Sequence, residues 1–485
     1  MDSGDTAQLA AVLGALGAAL LLLARGRATV LAGIVLIGAA EATFGAALLP
    51  EGGLSVRRGA LAVAGLLVLC LPALLLARRP ALVFPLALLA APLRLPIDIG
   101  SDNRFLLGAA EPGRLGRLHL LYFVIAIAVL ALALRALRGA RLPALPLVVA
   151  LPAASFLVVA SLSLLWAEDV DSGATKLAFF LLPFAALVGV AGRTPFEGWV
   201  PRALALVLLT LVSGFAAIGL WQAWSRDLLF YAPSLEIANA YASFFRVTSL
   251  FTDPSLYGRH LILGIAVLVV LFLRERINPP LGIALVALMW GGLFFSYSQS
   301  SFVALIIVVA ALALAAGDRR LRRTVLLGGG AAVLLAAGVV ALSVEDASAR
   351  RFTSGRSQLV STTAEVIKRR PLVGVGLGSQ PLVTREVVGP GAPLPRYTSH
   401  TTPLTVAAEL GLAGFAAYLA LLVGTTLALL RVRRSHATLG LALGAILLAL
   451  VVHSLFYSGF YEDPLTWGVL GVACSFLATR PTASA

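Results

Sequence analysis

Leu145-Pro-Leu-Val-Val-Ala-Leu-Pro-Ala-Ala-Ser-Phe-Leu-Val-Val-Ala-Ser-Leu-Ser-Leu-Leu165 carries no charge over 21 residues. A helix of about 20 apolar residues crosses the hydrocarbon core of a bilayer. This stretch is therefore read as a membrane span. On its N-terminal side stand Arg135, Arg138 and Arg141, and on its C-terminal side the turn Trp166-Ala-Glu-Asp169. The same alternation of apolar run and charged turn repeats along the chain. Further runs are Ala28–Ala40, Ala203–Leu220, Ile277–Ser300, Ser301–Gly317 and Leu410–Leu430.

Composition agrees. Of 485 residues, 60% are hydrophobic and 12% charged, where a soluble domain has about 25% charged. Mean hydropathy is +0.97. The expected fold class is all-α: a polytopic transmembrane helical bundle of roughly 12 to 15 spans. It forms a single transmembrane domain over 1–485, with a large extracytoplasmic loop subdomain at 344–400. The first run, Leu9–Leu23, follows Asp2 and Asp5 rather than a basic segment, so it reads as a retained span and not a cleaved signal. Cys70 and Cys474 both lie in apolar runs and imply neither a disulfide framework nor a zinc site.

The net charge of +14 suits nucleic acid or a membrane. Its distribution favours the membrane. One alternate set of loops holds Arg25, Arg27, Arg78, Arg79, Arg135, Arg138, Arg141, Arg193, Arg202, Arg274, Arg276, Arg319, Arg320, Arg322, Arg323, Arg431, Arg433, Arg434 and Arg480. These are 19 basic residues against three acids, whereas the rest of the chain has 18 against 20. Basic loops stay in the cytoplasm. The N-terminus is then outside, the C-terminus inside, and every long mixed loop outside: 94–117, 166–176, 224–257 and 344–400. Within the last, Leu359, Val360, Ala364 and Ile367 have the spacing of an amphipathic helix over 357–370, ended by Pro371, and this helix would lie along the membrane surface. The short cytoplasmic loops leave no room for a nucleotide-binding domain, and no phosphate-loop motif occurs.

Among residues able to do chemistry, His400 comes first. It stands in Tyr397-Thr-Ser-His-Thr-Thr-Pro403, where the long loop enters a span. Ser399 or Thr401 would cap that helix and Pro403 suits its first turn. The helix N-terminus attracts anions and disfavours imidazolium. A neutral His there is either a base near pH 7 or an interface anchor. Outer arginines offer forked, permanent charge to a diphosphate. Arg246 and Arg259 flank Thr248–Tyr257 at a span entry, and Arg356 opens the amphipathic helix. Lys368, Arg369 and Arg370 read as a solvated face. Gly374-Val-Gly-Leu-Gly-Ser379 is a weak dinucleotide match and a better tight turn. Glu409 lies about two and a half turns below His400 and would face the bundle. Glu168, Asp169 and Asp171, and likewise Glu462 and Asp463, are either metal ligands or, the preferred reading, solvated loop ends. Glu41, inside a span, needs a partner or water. His260 and His453 read as structural, and His119 and His436 have no supporting context.

Two blocks together resemble the O-antigen ligase/polymerase superfamily. Arg356-Ser-Gln…Ile367-Lys-Arg-Arg-Pro-Leu-Val-Gly-Val-Gly-Leu-Gly-Ser379 is similar to its outer-loop signature. His400-Thr-Thr-Pro…Ala408-Glu-Leu-Gly-Leu-Ala-Gly-Phe415 is similar to the signature that follows. Phe295-Ser-Tyr-Ser-Gln-Ser-Ser301 resembles a family span entry in which Arg commonly stands at the place of Gln299. Thr401 likewise stands where Asn often follows the His. Trp166-Ala-Glu-Asp169 resembles a recurring outer turn. The likeness runs from about Leu145 to Thr479.

This resemblance implies an inverting, metal-independent membrane glycosyltransferase of the C type, in the bacterial cytoplasmic (inner) membrane and active on its outer face. It would move a glycan from an undecaprenyl-type diphosphate lipid to a hydroxyl on a glycan, lipid or protein acceptor. His400 would be the catalytic base, and Arg246, Arg259 and Arg356 would hold the diphosphate. Gln299, Glu409, Gly374 and Gly376 would support them. No cofactor, no metal and no nucleic acid are expected. The alternatives are a repeat-unit polymerase of the same superfamily and, in another class, a lipid-linked-glycan transporter.

Overall fold

The structure is a computed structural model that describes residues 3–48, 56–93, 120–229, 233–327, 356–389, 399, 401–457 and 459–479. For 56–63, 66, 233–234 and 356–358 it describes the backbone alone. His400, His119 and the loop 94–117 lie outside the described residues, as does the Arg356 side chain.

Among the described residues the secondary structure is helical, with no strands. Its helices are α1 (Ser3–Leu23), α2 (Arg27–Leu48), α3 (Val56–Arg78), α4 (Val83–Ala90), α5 (Leu120–Leu137), α6 (Leu147–Leu162), α7 (Val170–Lys176), α8 (Leu182–Ala191) and α9 (Val200–Ser225). There follow α10 (Pro233–Tyr241), α11 (Pro254–Leu273), α12 (Pro279–Ser296), α13 (Gln299–Ala316), α14 (Arg356–Arg369), α15 (Gln380–Val388), α16 (Thr402–Ser435), α17 (Ala437–Ser454) and α18 (Pro464–Thr479). Several carry proline at the first or second position, at Pro201, Pro254, Pro279 and Pro403. Proline is tolerated there because the first-turn N–H has no helical acceptor to lose.

Among the described residues, eleven helices are long and apolar enough to cross a membrane, or 12 with a bent pair counted as one span. This protein is a multi-pass membrane protein. The expected 12 to 15 spans refer to the whole chain, part of which, including the apolar residues 328–343, lies outside the described residues. Pro80–Ala90 does not cross by itself but turns 112° from Leu67–Arg78, and Pro464–Thr479 is a shorter apolar helix. Alternating helix directions give the bundle two distinct ends. At one, Arg193 donates to the carbonyls of Gly189 (3.0 Å) and Ala24 (3.1 Å). There too Arg433 donates to Ala315 O at 2.7 Å, and Ser475 Oγ to Thr194 O at 2.6 Å. This is the end of the basic turns. The opposite end gathers residues 166–169, 226–229, 233–253 and 296–298, helices α14 and α15, and residues 455–457 and 459–463.

Residues 356–369 form α14, and the face it buries differs from the expected apolar stripe. Thr363 and Val366 are buried and Val360 is exposed. Val366 shares a small core with Val375, Val383 and Ala408. The helix is thus packed against α15 and the start of α16. A sequence period locates an apolar stripe only to within about a third of a turn, and packing chose its edge.

Candidate functional site at the loop end

Arg246 is placed by a chain of backbone devices. Gln222, on α9, is buried and accepts from the amides of Thr248 (3.1 Å) and Ser249 (2.6 Å) while donating to Ser249 O (3.0 Å). Asn239, on α10, exchanges two 3.0 Å bonds with the Arg246 backbone. Val247 N donates to Phe295 O at 3.1 Å. The Arg246 side chain then reaches the α12–α13 turn, where Nε donates to Ser296 O at 3.3 Å. Among the described residues it forms no ion pair. Burial lowers its pKa, and Asp253 partly opposes that shift. A half-buried guanidinium of this kind gains from an incoming anion.

That turn is itself polar. Tyr297 takes a left-handed conformation (φ 48°), which ends α12 and lets α13 begin. Ser298 Oγ lies 2.8 Å from Ser301 Oγ and 3.2 Å from Ser300 Oγ. Gln299 is exposed at the first position of α13. His453 Nε2 lies 3.2 Å from Ser255 O and 3.5 Å from Ser300 Oγ, so this buried histidine joins α11 to α13. His260 is also buried: Nδ1 lies 2.8 Å from Leu256 O and the ring stacks on Phe251. Both behave as structural histidines. His436 has a role that sequence did not show, capping α17 by accepting from Leu439 N at 3.1 Å.

Arg259 is occupied. It pairs with Asp463 at 2.9 Å, with side chains 12% and 3% exposed. Asp463 also accepts from Leu465 N at 2.8 Å at the head of α18. Asp463 is therefore not a solvated loop end, which corrects the preferred reading for it, whereas Glu462 is partly exposed. Glu462 lies 3.7 Å from Lys176, and burial raises its pKa, helped by Glu409 and opposed by Lys176. The other acidic group is used for docking. Asp169 caps α7 by accepting from Ser172 N, and Glu168 lies 3.7 Å from Arg370. Among the described residues no cluster of three His, Cys, Asp or Glu side chains is placed to hold a metal.

Lys176 is the residue that sequence reasoning passed over. Its Nζ sits 3.0 and 3.1 Å from the two oxygens of Glu409, which is 1% exposed. Directly after it the helix takes a π-turn over Leu177–Leu181. A lone lysine at the head of an apolar run was the available signal, since a cation at membrane depth needs a partner.

The glycine block lies over Glu409. Helix α16 breaks at Gly411 (φ 62°). In an unbroken helix Leu412 N would bond Ala408 O, and Ala413 N would bond Glu409 O. Instead Leu412 N donates to Pro371 O (2.9 Å) and Ala413 N to Leu372 O (3.2 Å). The freed carbonyls of Ala408 and Glu409 accept from Val375 N (3.0 Å) and Gly376 N (2.9 Å). The loop is spliced into the helix ladder. Gly374 has φ 71°, and a Cβ there would lie 2.3 Å from Glu409 O. The block therefore acts by close backbone approach rather than by cradling a nucleotide. Just before the break, Ser399 Oγ donates to Thr401 O at 2.8 Å, and Thr401 is the N-cap of α16.

The family model described as O-antigen ligase matches residues 284–419. No curated protein matches the chain. The matched stretch contains the polar α12–α13 turn, α14, the spliced glycine block and the broken head of α16. Over those residues the chain is similar to the O-antigen ligase family.

Proposed function

We propose that this protein is an inverting glycosyltransferase that acts on a lipid-linked glycan at the outer face of the cytoplasmic membrane. The family supports ligase or polymerase activity in general. One observation carries the finer reading. Arg246, without a carboxylate partner among the described residues, and the N-terminus of α13 meet at the loop end, which also carries the start of α16. An anion arriving there finds a forked donor and helix N–H groups together.

In this reading the donor diphosphate binds Arg246 and the head of α13, with Gln299 beside it. Arg259, held by Asp463, adds positive field, and Arg356, at the start of α14, is the third candidate. The part of the polyprenyl tail next to the diphosphate enters the apolar cavity of about 130 Å³ whose lining includes Leu263, Pro464 and Leu465, and the rest stays in the lipid. Those residues follow Arg259 and Asp463 into the bundle. His400, two residues before α16, takes the proton of the acceptor hydroxyl. That oxygen bonds to the anomeric carbon as the bond to the diphosphate oxygen breaks. The electron pair leaves on the lipid diphosphate, and the centre inverts. Positive charge already in place costs no reorganisation as the leaving group becomes more anionic.

The test uses the purified full-length protein with polyprenyl-diphosphate glycan and an acceptor. Arg246→Gln raises the donor KM about tenfold or more, the loss expected for one charge-assisted contact. His400→Ala lowers kcat by about a hundredfold, as removal of a general base does. A folded His400→Ala variant with wild-type kcat would remove the base. A folded Arg246→Gln variant with unchanged donor KM would move the diphosphate elsewhere. Product length on a gel separates single transfer from polymerisation.

A further inference from the structure

The cluster under the glycine block holds one cation between two carboxylates. Lys176 Nζ lies at 3.0 and 3.1 Å from Glu409 but at 3.7 Å from Glu462. Glu409 is sealed from solvent, with its side chain 1% exposed, while that of Glu462 is 28% exposed. Lys176 belongs to the bundle, at the end of α7 beside the π-turn. Glu409 belongs to the segment between the α16 cap and its break. The carbonyl of that same Glu409 accepts from Gly376 N in the splice. One residue therefore answers to the bundle through its side chain and to the outer loop through its backbone.

We infer that Lys176 is a positioning residue for glycosyl transfer. By pairing with Glu409 it fixes the depth and rotation of residues 402–410 and holds open the break that receives loop 371–376. The physical reason is the cost of the alternative. A sealed carboxylate without its lysine must take a proton or turn toward water. Turning toward water rotates residues 402–410, and rotation pulls Glu409 O from Gly376 N and Ala408 O from Val375 N. The α14–α15 subdomain rests on those bonds and on the small core of Val366, Val375, Val383 and Ala408. A shift at Lys176 thus reaches both the entry of α16 and the loop above it. The π-turn after Lys176 fits this role, since such turns inside helices are frequent at functional sites.

The inference rests on the glycosyltransferase reading for its kinetic arm, and its exchange arm does not need that reading. The experiment compares wild-type, Lys176→Met, Lys176→Arg and Glu409→Asp full-length proteins in lipid nanodiscs. It measures kcat, donor KM, thermal midpoint and amide hydrogen exchange. For Lys176→Met, kcat falls about tenfold or more at a temperature where the protein stays folded, with donor KM within about twofold. The amides of Val375, Gly376, Leu412 and Ala413 exchange roughly tenfold faster. Lys176→Arg recovers most of both. A purely structural pair would instead lower kcat only in step with the folded fraction. Wild-type kcat in folded Lys176→Met, or a slow variant with wild-type protection at those four amides, overturns the inference. Should Lys176→Met not fold, Glu409→Asp carries the same expectations, because it keeps the charge and shortens the reach. A wild-type protein that transfers no glycan would sink the glycosyltransferase reading while the exchange arm still decides the positioning of the splice.

Discussion

Gly411 and Gly374 face each other across the splice, and each is constrained twice. Gly411 has φ 62°, and a Cβ there would lie 2.4 Å from the carbonyl carbon of Leu372. Gly374 has φ 71° with a carbonyl at 2.3 Å. An alanine at either site adds left-handed strain to a backbone clash, so each substitution costs about 2 kcal/mol or more. The thermal midpoint of Gly411→Ala in nanodiscs falls accordingly, and an unchanged midpoint would contradict the splice. Glu462 gives a prediction with a sign. Burial holds its folded-state pKa above the unfolded value. The folded protein therefore binds the Glu462 proton more tightly than the unfolded chain does. That contribution to stability is full below the unfolded pKa and is lost as pH rises through the folded one. Glu462→Gln removes the dependence. Its thermal midpoint changes less than the wild-type midpoint between about pH 4.5 and 7. Equal slopes for the two proteins would exclude Glu462 as the group.

At the scale of elements, docking of loop 370–379 onto α6 and α7 depends on two serine hydroxyls. Ser379 Oγ accepts from Asp169 N at 2.9 Å, and Ser163 Oγ from Leu377 N at 3.1 Å. Removing both, in Ser163→Ala with Ser379→Ala, leaves two amides without partners at about 1 to 3 kcal/mol each. Limited proteolysis within 356–389 should then speed up while the spans stay protected, and an unchanged cleavage rate would show that the serines are dispensable. Sequence showed these elements unevenly. Helix α14 was legible because Pro371 and an apolar period mark it. The glycine block was legible as a turn. Its insertion into α16 was not, because those four bonds join backbone groups 33 or 41 residues apart whose side chains carry no signal. Lys176 was hidden for a related reason. Its partner Glu409 is 233 residues away, and alone the lysine resembles an interface anchor. Arg259 and Asp463 looked like two free charges for the same reason, and only the fold makes them a pair.

The whole molecule has two chemically distinct ends, and the charge count anticipated this from sequence. Arginines crowd one end, and the loops with mixed chemistry meet at the other. By the positive-inside rule the basic end is expected to be cytoplasmic. Single cysteines test this after Cys70→Ser and Cys474→Ser. A membrane-impermeant maleimide on intact spheroplasts should label Arg385→Cys, on the exposed side of α15, and should label Arg434→Cys only after lysis. The reverse pattern would invert the molecule and place the candidate site in the cytoplasm. An outer site suits a reaction in which the bilayer presents one substrate by its tail and the loops receive the other.

The most direct test of that account is transfer itself. Wild-type protein in nanodiscs is given a polyprenyl-diphosphate glycan labelled at its reducing-end sugar, together with a hydroxyl acceptor, and the product linkage is read by NMR. The account predicts a new glycosidic bond whose anomeric configuration is opposite to that of the donor. A product of retained configuration would contradict the inverting mechanism. Labelled donor crossing liposomes with no glycosidic product would contradict the enzyme and favour a transporter.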